Sequence, residues 1–465
     1  MLHKDFIEHT RGLLHIEYNE FEASLDTQPP VSIRINPLKP ADISFIYGDT
    51  ENVPWCETGR YLTERPSFTF DPLFHAGTYY VQEAASMFTE QAIKQILEDD
   101  GMQSKRIVAL DLCAAPGGKS TLLRSLLPTD SLLVSNEVIR SRSMILAENM
   151  AKWGMPDNIV TSNDPKDIGR LTNIFDVMLA DLPCSGEGMF RKDTASRDEW
   201  SVDNVKLCAA RQRRIIHDSW NALKPGGWLI YSTCTFNTEE NEDNVFALAN
   251  ELGAEIIPVK VKEEWNIAGS LRHDIPVYRF FPYRTKGEGF FLALLKKGSD
   301  TTEVNKTKDK GNSKTNRQNN KSAVPEQVKN MILSPDKFTF YAANNIFAIP
   351  SIHDDLYKNI STQINIISAG ITLGEYKGRD FVPSASLALS TEVNTEAFPI
   401  VALSREQAIN YLQREAISLP TDMPKGHIIV TFGNKPLGFI KNIGNRANNL
   451  YPQEWRIRSR IKKDL

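Results

Sequence analysis

The sequence predicts an α/β protein organised around a mainly parallel sheet with helices on both faces. Three observations carry that prediction. Between Arg106 and Lys297, short continuous apolar runs alternate with amphipathic stretches, the pattern of repeated strand and helix units. The stretch Asp111-Leu112-Cys113-Ala114-Ala115-Pro116-Gly117-Gly118-Lys119 leaves one such run and enters a helical one through small residues, a proline and two glycines. Each apolar run also ends in residues able to do chemistry, and ligands of open parallel sheets sit outside the carboxyl ends of the strands.

The chain begins with helical spacing over Met1 to Leu25, with Phe6, Leu13, Leu14, Tyr18 and Phe21 on one side, until Gln28-Pro29-Pro30 stops it. Val31 to Asn36 alternates as a strand and ends at Pro37, which puts Arg34 and Asn36 on a polar face, either a solvated edge or a substrate contact. Phe68 to Pro72 and His75 to Met87 form a connector into a helix ending near Asp99. That entrance is a candidate lining for a cofactor pocket, with Tyr79 and Tyr80 preferred as packing aromatics.

In the sheet region, Ile107 to Leu110 has the composition of a strand buried on both faces, followed by a helix from Ser120 to Leu127. Strand two, Leu132 to Ser135, ends at Asn136-Glu137. Strand three, Ile159 to Thr161, ends at Asn163-Asp164. Strand four, Phe175 to Ala180, ends at Asp181-Leu182-Pro183-Cys184-Ser185-Gly186. Strand five, Trp228 to Tyr231, follows the turn Lys224-Pro225-Gly226-Gly227 and ends at Ser232-Thr233-Cys234-Thr235, and Phe290 to Leu295 is a last buried strand. Glu137 stands where an acid accepts hydrogen bonds from ribose hydroxyls. Asp164 stands where a carboxylate meets an adenine amino group, or else caps a helix. The glycine-rich turn alone serves nucleotides, dinucleotides and S-adenosylmethionine alike, or no ligand. It is neither G-x-G-x-x-G nor a phosphate loop, which argues against a dehydrogenase.

Gly298 to Lys329 is rich in Lys, Asn, Thr, Ser and Gln and cannot bury enough apolar surface to fold alone, so a flexible linker is expected. Two further units follow. Asn330 to Ile400 has short strand-like pieces and a turn-rich Gly374 to Arg379. Val401 to Leu465 has a helix near Ser404 to Glu415, then a hairpin of Ile428–Phe432 and Leu437–Lys441 turning at Asn434-Lys435. Lys425 to Lys463 holds nine Lys or Arg against one acid, about +8, while the whole chain carries -4. The remainder is therefore about -12, which suits a nucleic-acid contact on an otherwise acidic enzyme.

At 465 residues the chain has room for two to four domains of about 150 residues. No run approaches the roughly 18 apolar residues of a membrane span, and Lys4, Asp5, Glu8 and Arg11 interrupt any signal-peptide core, so a cytoplasmic protein is expected. Five cysteines, Cys56, Cys113, Cys184, Cys208 and Cys234, are odd in number and lack C-x-x-C spacing, so neither a disulfide framework nor a metal site is expected.

Cys184 and Cys234 lie just past adjacent strand ends, so both thiols are expected to open into one pocket. A free cysteine is usually buried and inert, but two at such positions form a candidate nucleophilic site. A thiolate suits addition to carbon 6 of a pyrimidine, which makes carbon 5 electron-rich enough to take a methyl group from a sulfonium donor. Asp181 is placed to hold the polar edge of the base. Spacing alone does not choose between the thiols.

Phe74 to Met87, Cys113 to Lys119, Asp181 to Gly186 and Ser232 to Thr235, four motifs in order, closely resemble the Sun/nucleolar-protein family of RNA cytosine carbon-5 methyltransferases. The resemblance covers roughly Met1 to Lys297, and the C-terminal units look like those of the bacterial ribosomal small-subunit methyltransferase F group, whose last unit is PUA-like. It implies a Rossmann-like class I S-adenosylmethionine-dependent methyltransferase domain with an N-terminal α+β extension and a small C-terminal α+β, PUA-like RNA-binding module. The implied divisions are 1–100 for the extension, 101–298 for the catalytic domain, 299–329 for the linker, then 330–400 and 401–465. S-adenosylmethionine is the implied cofactor, bound by Cys113, Ala114, Ala115, Pro116, Gly117, Gly118, Lys119, Glu137, Asp164 and Asp181. The resemblance assigns the covalent bond to Cys234 and product release to Cys184. RNA, most of all ribosomal RNA or the small subunit, is the implied partner of a monomer. Transfer RNA is the alternative substrate, and a non-catalytic ribosome-assembly factor is the alternative function.

Overall fold

A computed structural model of the protein describes residues 2–42, 48, 50–299 and 324–459. Of the expected linker, residues 300–323 lie outside the described residues, while its last part is structured: Glu326–Lys329 forms a short helix, and Val324 and Val328 are buried in the C-terminal core.

The N-terminal helix expected over Met1 to Leu25 is two helices, Lys4–Leu14 and Tyr18–Ser24, joined by a 3-10 turn at His15–Glu17. His15 takes a positive φ of 48°, which an α-helix does not permit, and the break turns both apolar faces onto one patch. Phe6 packs edge-on to Phe190 at 5.0 Å, and Phe21 packs edge-on to Phe236 at 5.0 Å. The extension thereby braces the segment that follows Cys234.

Strands β1 (Val31–Ile35), β2 (Glu51–Asn52), β3 (Gly59–Leu62) and β4 (Tyr79–Val81) form an antiparallel sheet in the order β2-β3-β1-β4. Arg34 and Asn36, expected on a polar face, are fully buried. The alternation misleads because the polar face is covered by the helices Gly118–Leu126 and Arg140–Trp153. Arg34 donates from Nε to Gln82 Oε1 at 2.7 Å and from Nη2 to the Gly118 carbonyl at 3.1 Å, and it lies over the Trp153 ring at 4.6 Å. Asn36 Nδ2 donates to the carbonyls of Gly77 at 2.9 Å and Trp153 at 3.0 Å.

The main sheet contains β5 (Val108–Asp111), β6 (Leu132–Asn136), β7 (Asn158–Thr161), β8 (Phe175–Asp181), β9 (Leu223–Thr233), β10 (Ala254–Ile257), β11 (Tyr278–Phe280) and β12 (Phe290–Lys297). Its order begins β10-β12-β9-β8-β5-β6-β7, with β11 also paired to β12. Strands β5 to β9 are mutually parallel; β12 runs antiparallel to β9, and β10 and β11 run antiparallel to β12. The five strands expected before the last one are all present. Strand β9 begins earlier, at Leu223, because Lys224 to Gly227 loop out of register between Leu223 and Trp228. Strand β5 lies between β8 and β6, so the crevice where strand order reverses lies at its carboxyl end.

Beyond residue 323 come β13 (Phe338–Ala342), β14 (Ile346–Pro350), β15 (Ile366–Ala369), β16 (Ile371–Lys377) and β17 (Asp380–Pro383). Four of these make a sheet in the order β13-β14-β16-β17. Strand β15 leaves them and pairs antiparallel with β7, so it covers the open edge of the main sheet. The last sheet is β18 (Ile400–Ala402), β19 (Gly426–Phe432), β20 (Lys435–Asn442) and β21 (Ala447–Asn449) in that order. Its hairpin turns at Gly433-Asn434, one residue before the expected pair, because both turn residues take positive φ, 54° and 60°. The helix Arg405–Leu412 starts at a Ser404 and Gln407 capping box.

These C-terminal sheets share a core: Ile346, Ile371 and Leu373 pack with Ile429 and Phe439. The last unit also docks on the N-terminal one, where Ala76 joins the cluster of Tyr411, Ile428 and Tyr451. Among the described residues no helix is long and apolar enough to cross a membrane.

Candidate active site

The chemistry-bearing strand ends converge at the β5 and β8 crevice. The β5 loop passes through a cis Ala115–Pro116 bond and turns at Gly117, whose φ of 117° is accessible to glycine. The helix Gly118–Leu126 then starts with its backbone N–H groups toward the crevice. A Cβ on Gly118 would stand 3.3 Å from the Tyr80 ring, so the loop lies tight against β4.

A cavity of about 180 Å³ opens here, lined by Tyr80, Val81, Gln82, Glu83 and Ser86 from the extension side. Its other wall is Asp111, Cys113, Ala114, Ala115, Pro116, Gly118, Lys119 and Asp181. Asp111 is fully buried at the floor. Its Oδ2 accepts from Ser120 Oγ at 2.6 Å, while Oδ1 has no partner in the described protein. Burial pushes its carboxyl up to about 7, opposed by the Ser120 hydrogen bond and assisted by nearby Asp181. A buried acceptor left open in a polar cradle is a place for a ligand's donor.

Asp181 ends β8 and is held from two sides. Lys119 Nζ lies 2.8 Å from its Oδ2, and Ser232 Oγ donates to its Oδ1 at 2.8 Å. Burial pulls the Lys119 ammonium down, but the Asp181 carboxylate more than offsets this and leaves it above its ordinary range. Lys119 also sits 5.2 Å over the Phe290 ring.

Three residues past Asp181, Cys184 Sγ lies 3.2 Å from Cys234 Sγ. The two thiols are therefore in contact past adjacent strand ends, although neither lines the cavity above. The hydrogen bond with Cys234 and then burial push the Cys184 thiol well up, so Cys184 stays neutral. The Cys113 thiol, by contrast, is raised by burial and lines the cavity.

Glu137 and Asp164 stand apart from the cavity. Glu137 Oε1 accepts from the Ile139 N–H at 2.9 Å, and its Oε2 lies 3.4 Å from Arg142, which in turn donates to the Ala115 carbonyl at 2.9 Å. Glu137 is thus tied to the loop after β5 through Arg142. Asp164 caps the helix Pro165–Ile168 by accepting from Lys166 N, and it faces Arg214 at 3.6 Å. Tyr79 is a packing aromatic, buried and donating to Asp71, but Tyr80 lines the cavity, so the packing expectation holds for only one of the pair.

Gln82 and Glu83 belong to the His75 to Met87 entrance expected to line the pocket, and Ser232 to the run that ends strand five, whereas the buried Glu240 lies in no stretch that the sequence marks. Glu83 had a local signal, since its carboxylate accepts from Ala85 N and Ser86 N at 2.9 Å each, an ordinary helix-start arrangement. Glu240 had none, because Glu239-Glu240-Asn241-Glu242 reads as a solvated acidic run, yet Glu240 is fully buried.

Residues 101–296 match the family of the 16S rRNA methyltransferase RsmB/F, residues 2–84 the N-terminal domain of 16S rRNA methyltransferase RsmF, and residues 398–457 the methyltransferase RsmF PUA domain. The ribosomal RNA small subunit methyltransferase F of Aliivibrio fischeri strain MJ11 is 31% identical over 458 residues, covering 95% of this chain and 94% of that protein. The protein of the same name from Escherichia coli O9:H4 strain HS is 30% identical over 94% of this chain and 93% of its own length. A methyltransferase homologue from Pyrococcus horikoshii shares the fold, with 27% identity, a TM-score of 0.53, and 63% of this chain and 95% of that chain covered. The chain belongs to the ribosomal RNA small subunit methyltransferase F family and is a methyltransferase with a Rossmann-like catalytic domain and a PUA module.

Proposed function

We propose that the protein is an RNA (cytosine-5-)-methyltransferase acting on 16S ribosomal RNA through a covalent adduct between Cys234 and the base. The observation that carries this reading is the pair of thiols 3.2 Å apart, set beside the Lys119–Asp181 pair at the mouth of the cofactor cradle. The cradle suits S-adenosylmethionine: Asp111 offers an open buried oxygen to an ammonium group, and Gly117 and Gly118 let the backbone come close. Cys113 to Lys119, Glu137 and Asp181 are its proposed holders, with Asp164 at the outer end, where it also caps a helix. When bound, S-adenosylmethionine supplies an electrophilic methyl group.

Cys234 adds as thiolate to carbon 6, forming the S–C6 bond and moving the C5=C6 electron pair onto carbon 5. Asp181, kept in place by Lys119 and Ser232, accepts from the amino edge of the base. After methylation the proton on carbon 5 is lost to a base, the double bond re-forms and Cys234 leaves as thiolate. Cys184, neutral and adjacent, stabilises that thiolate by donating its S–H, which is how it assists release. The target base must leave its stack to reach this pocket, at a cost of a few kcal/mol, and the basic C-terminal unit contributes sequence-independent affinity. The enzyme works as a cytoplasmic monomer.

The test is a denaturing gel of protein mixed with unmethylated small-subunit RNA and donor. Cys184→Ala is expected to leave an RNA adduct that survives denaturation, with turnover reduced roughly 10²- to 10⁴-fold, while Cys184→Ala with Cys234→Ala leaves none. Absence of an adduct in the single variant would favour the non-catalytic reading.

A further inference from the structure

Beneath the thiols lies a buried acid that the chemistry above does not use. Glu240 is fully buried, and its carboxylate accepts from the Ser185 N–H at 3.0 Å, Gln212 Nε2 at 2.8 Å and Asn237 Nδ2 at 2.8 Å. Ser185 directly follows Cys184. Thr235 directly follows Cys234, and the Ser185 and Thr235 hydroxyls meet at 2.9 Å, with Asn237 Nδ2 also donating to Thr235 Oγ1 at 2.9 Å.

One carboxylate and one amide therefore join the two cysteine loops a single residue behind each sulfur. The sheet does not supply this tie: β8 ends at Asp181, and Leu182 is the last residue of that loop bonded to β9, through Ser232 O. The buried Glu187, three residues past Cys184, crosses between the loops further out, accepting from Phe236 N at 2.8 Å and Asn237 N at 2.9 Å. Glu240 makes the crossing from the Cys234 side, at the residue that directly follows Cys184. Its own place is fixed by the helix Val202–Ser219, through Gln212, which also donates to the Pro183 carbonyl at 3.1 Å.

We propose that Glu240 is a positioning residue that sets the approach of Cys184 to Cys234. The role rests on the covalent reading given above, in which Cys184 must meet the departing sulfur. A displacement of about 1 Å at such a pair is enough to cost roughly a hundredfold in rate. Glu240→Ala removes every acceptor at once, whereas Glu240→Gln keeps one oxygen for the Ser185 N–H but turns an amide toward another donor.

The experiment uses the full-length protein and reads the thiols directly. Wild type, Glu240→Ala and Glu240→Gln are equilibrated in glutathione buffers, where glutathione disulfide takes two electrons and gives two glutathione as the Cys184–Cys234 disulfide forms. Alkylation and intact mass then give the equilibrium constant. Glu240→Ala is expected to lower that constant roughly tenfold and Glu240→Gln about threefold. The same variants should lower kcat in the same order, with KM for small-subunit RNA and Kd for S-adenosylhomocysteine within about twofold of wild type. A wild-type equilibrium constant in a variant that melts cooperatively and binds S-adenosylhomocysteine would overturn the proposal. If Glu240→Ala does not fold, Glu240→Gln alone decides, and a value equal to wild type overturns it. If wild type methylates no RNA, the covalent reading fails, while the thiol equilibrium still decides the placement of Cys184.

Discussion

Asp111 carries two demands that pull against each other. Its open Oδ1 is the proposed acceptor in the cofactor cradle, yet its burial raises its carboxyl to about 7, far above an unfolded aspartate near 3.8. A raised folded pKa means that the folded state holds the proton over that interval. The stability contributed is full below about 3.8 and is lost as pH rises through about 7. Glu240, pushed up to about 7 by burial with Glu187 adding to it, acts in the same direction. Cofactor-free wild type is therefore expected to lose melting temperature between about pH 4 and pH 7, and Asp111→Asn should flatten that fall, each pH unit counting for up to about 1.4 kcal/mol. Scanning calorimetry checks it, and identical slopes in both proteins would refute the assignment. At this scale the sequence revealed much of the site, since Cys184, Cys234, Asp181 and Lys119 follow strand ends in recognisable runs. Arg34 and Glu240 were illegible because polarity alone reports exposure, and both are polar groups buried by contacts from distant segments, the helix Gly118–Leu126 for Arg34 and Gln212 for Glu240.

Elements were legible where their cause is local. The buried strands β5 to β9 and β12 announce themselves by apolar runs, and the helix Arg405–Leu412 by its cap. Strand β15 has no such signal, because its pairing with β7 joins Ile366 to Thr161 across about two hundred residues of chain. The join has a geometric pivot at Gly370, with φ of 57° and a Cβ position 2.1 Å from the Ala348 carbonyl. Gly370→Val should therefore strain the passage from β15 to β16 and destabilise the protein by about 2 kcal/mol or more. Denaturant titration checks this, with an unchanged midpoint as the contrary result.

Across the whole molecule, the C-terminal units are built into the catalytic core. Strand β15 completes the main sheet, and the docking of Tyr451 and Ala76 places the basic unit on the N-terminal extension. Removing residues 324–465 is expected to expose the β7 edge and the face around Ala76, giving a lower melting temperature and aggregation. Full-length protein should melt as one cooperative unit, whereas an independent module would give two resolved transitions. The sequence separated these units by composition and charge, but composition does not report which surfaces meet.

The most direct test of the account is bisulfite sequencing of 16S ribosomal RNA from cells lacking this gene, complemented with wild type or Cys234→Ala. The account predicts that one or more 5-methylcytosines disappear, return with wild type and do not return with Cys234→Ala. Methylation unchanged by loss of the gene, or restored by Cys234→Ala, would contradict it.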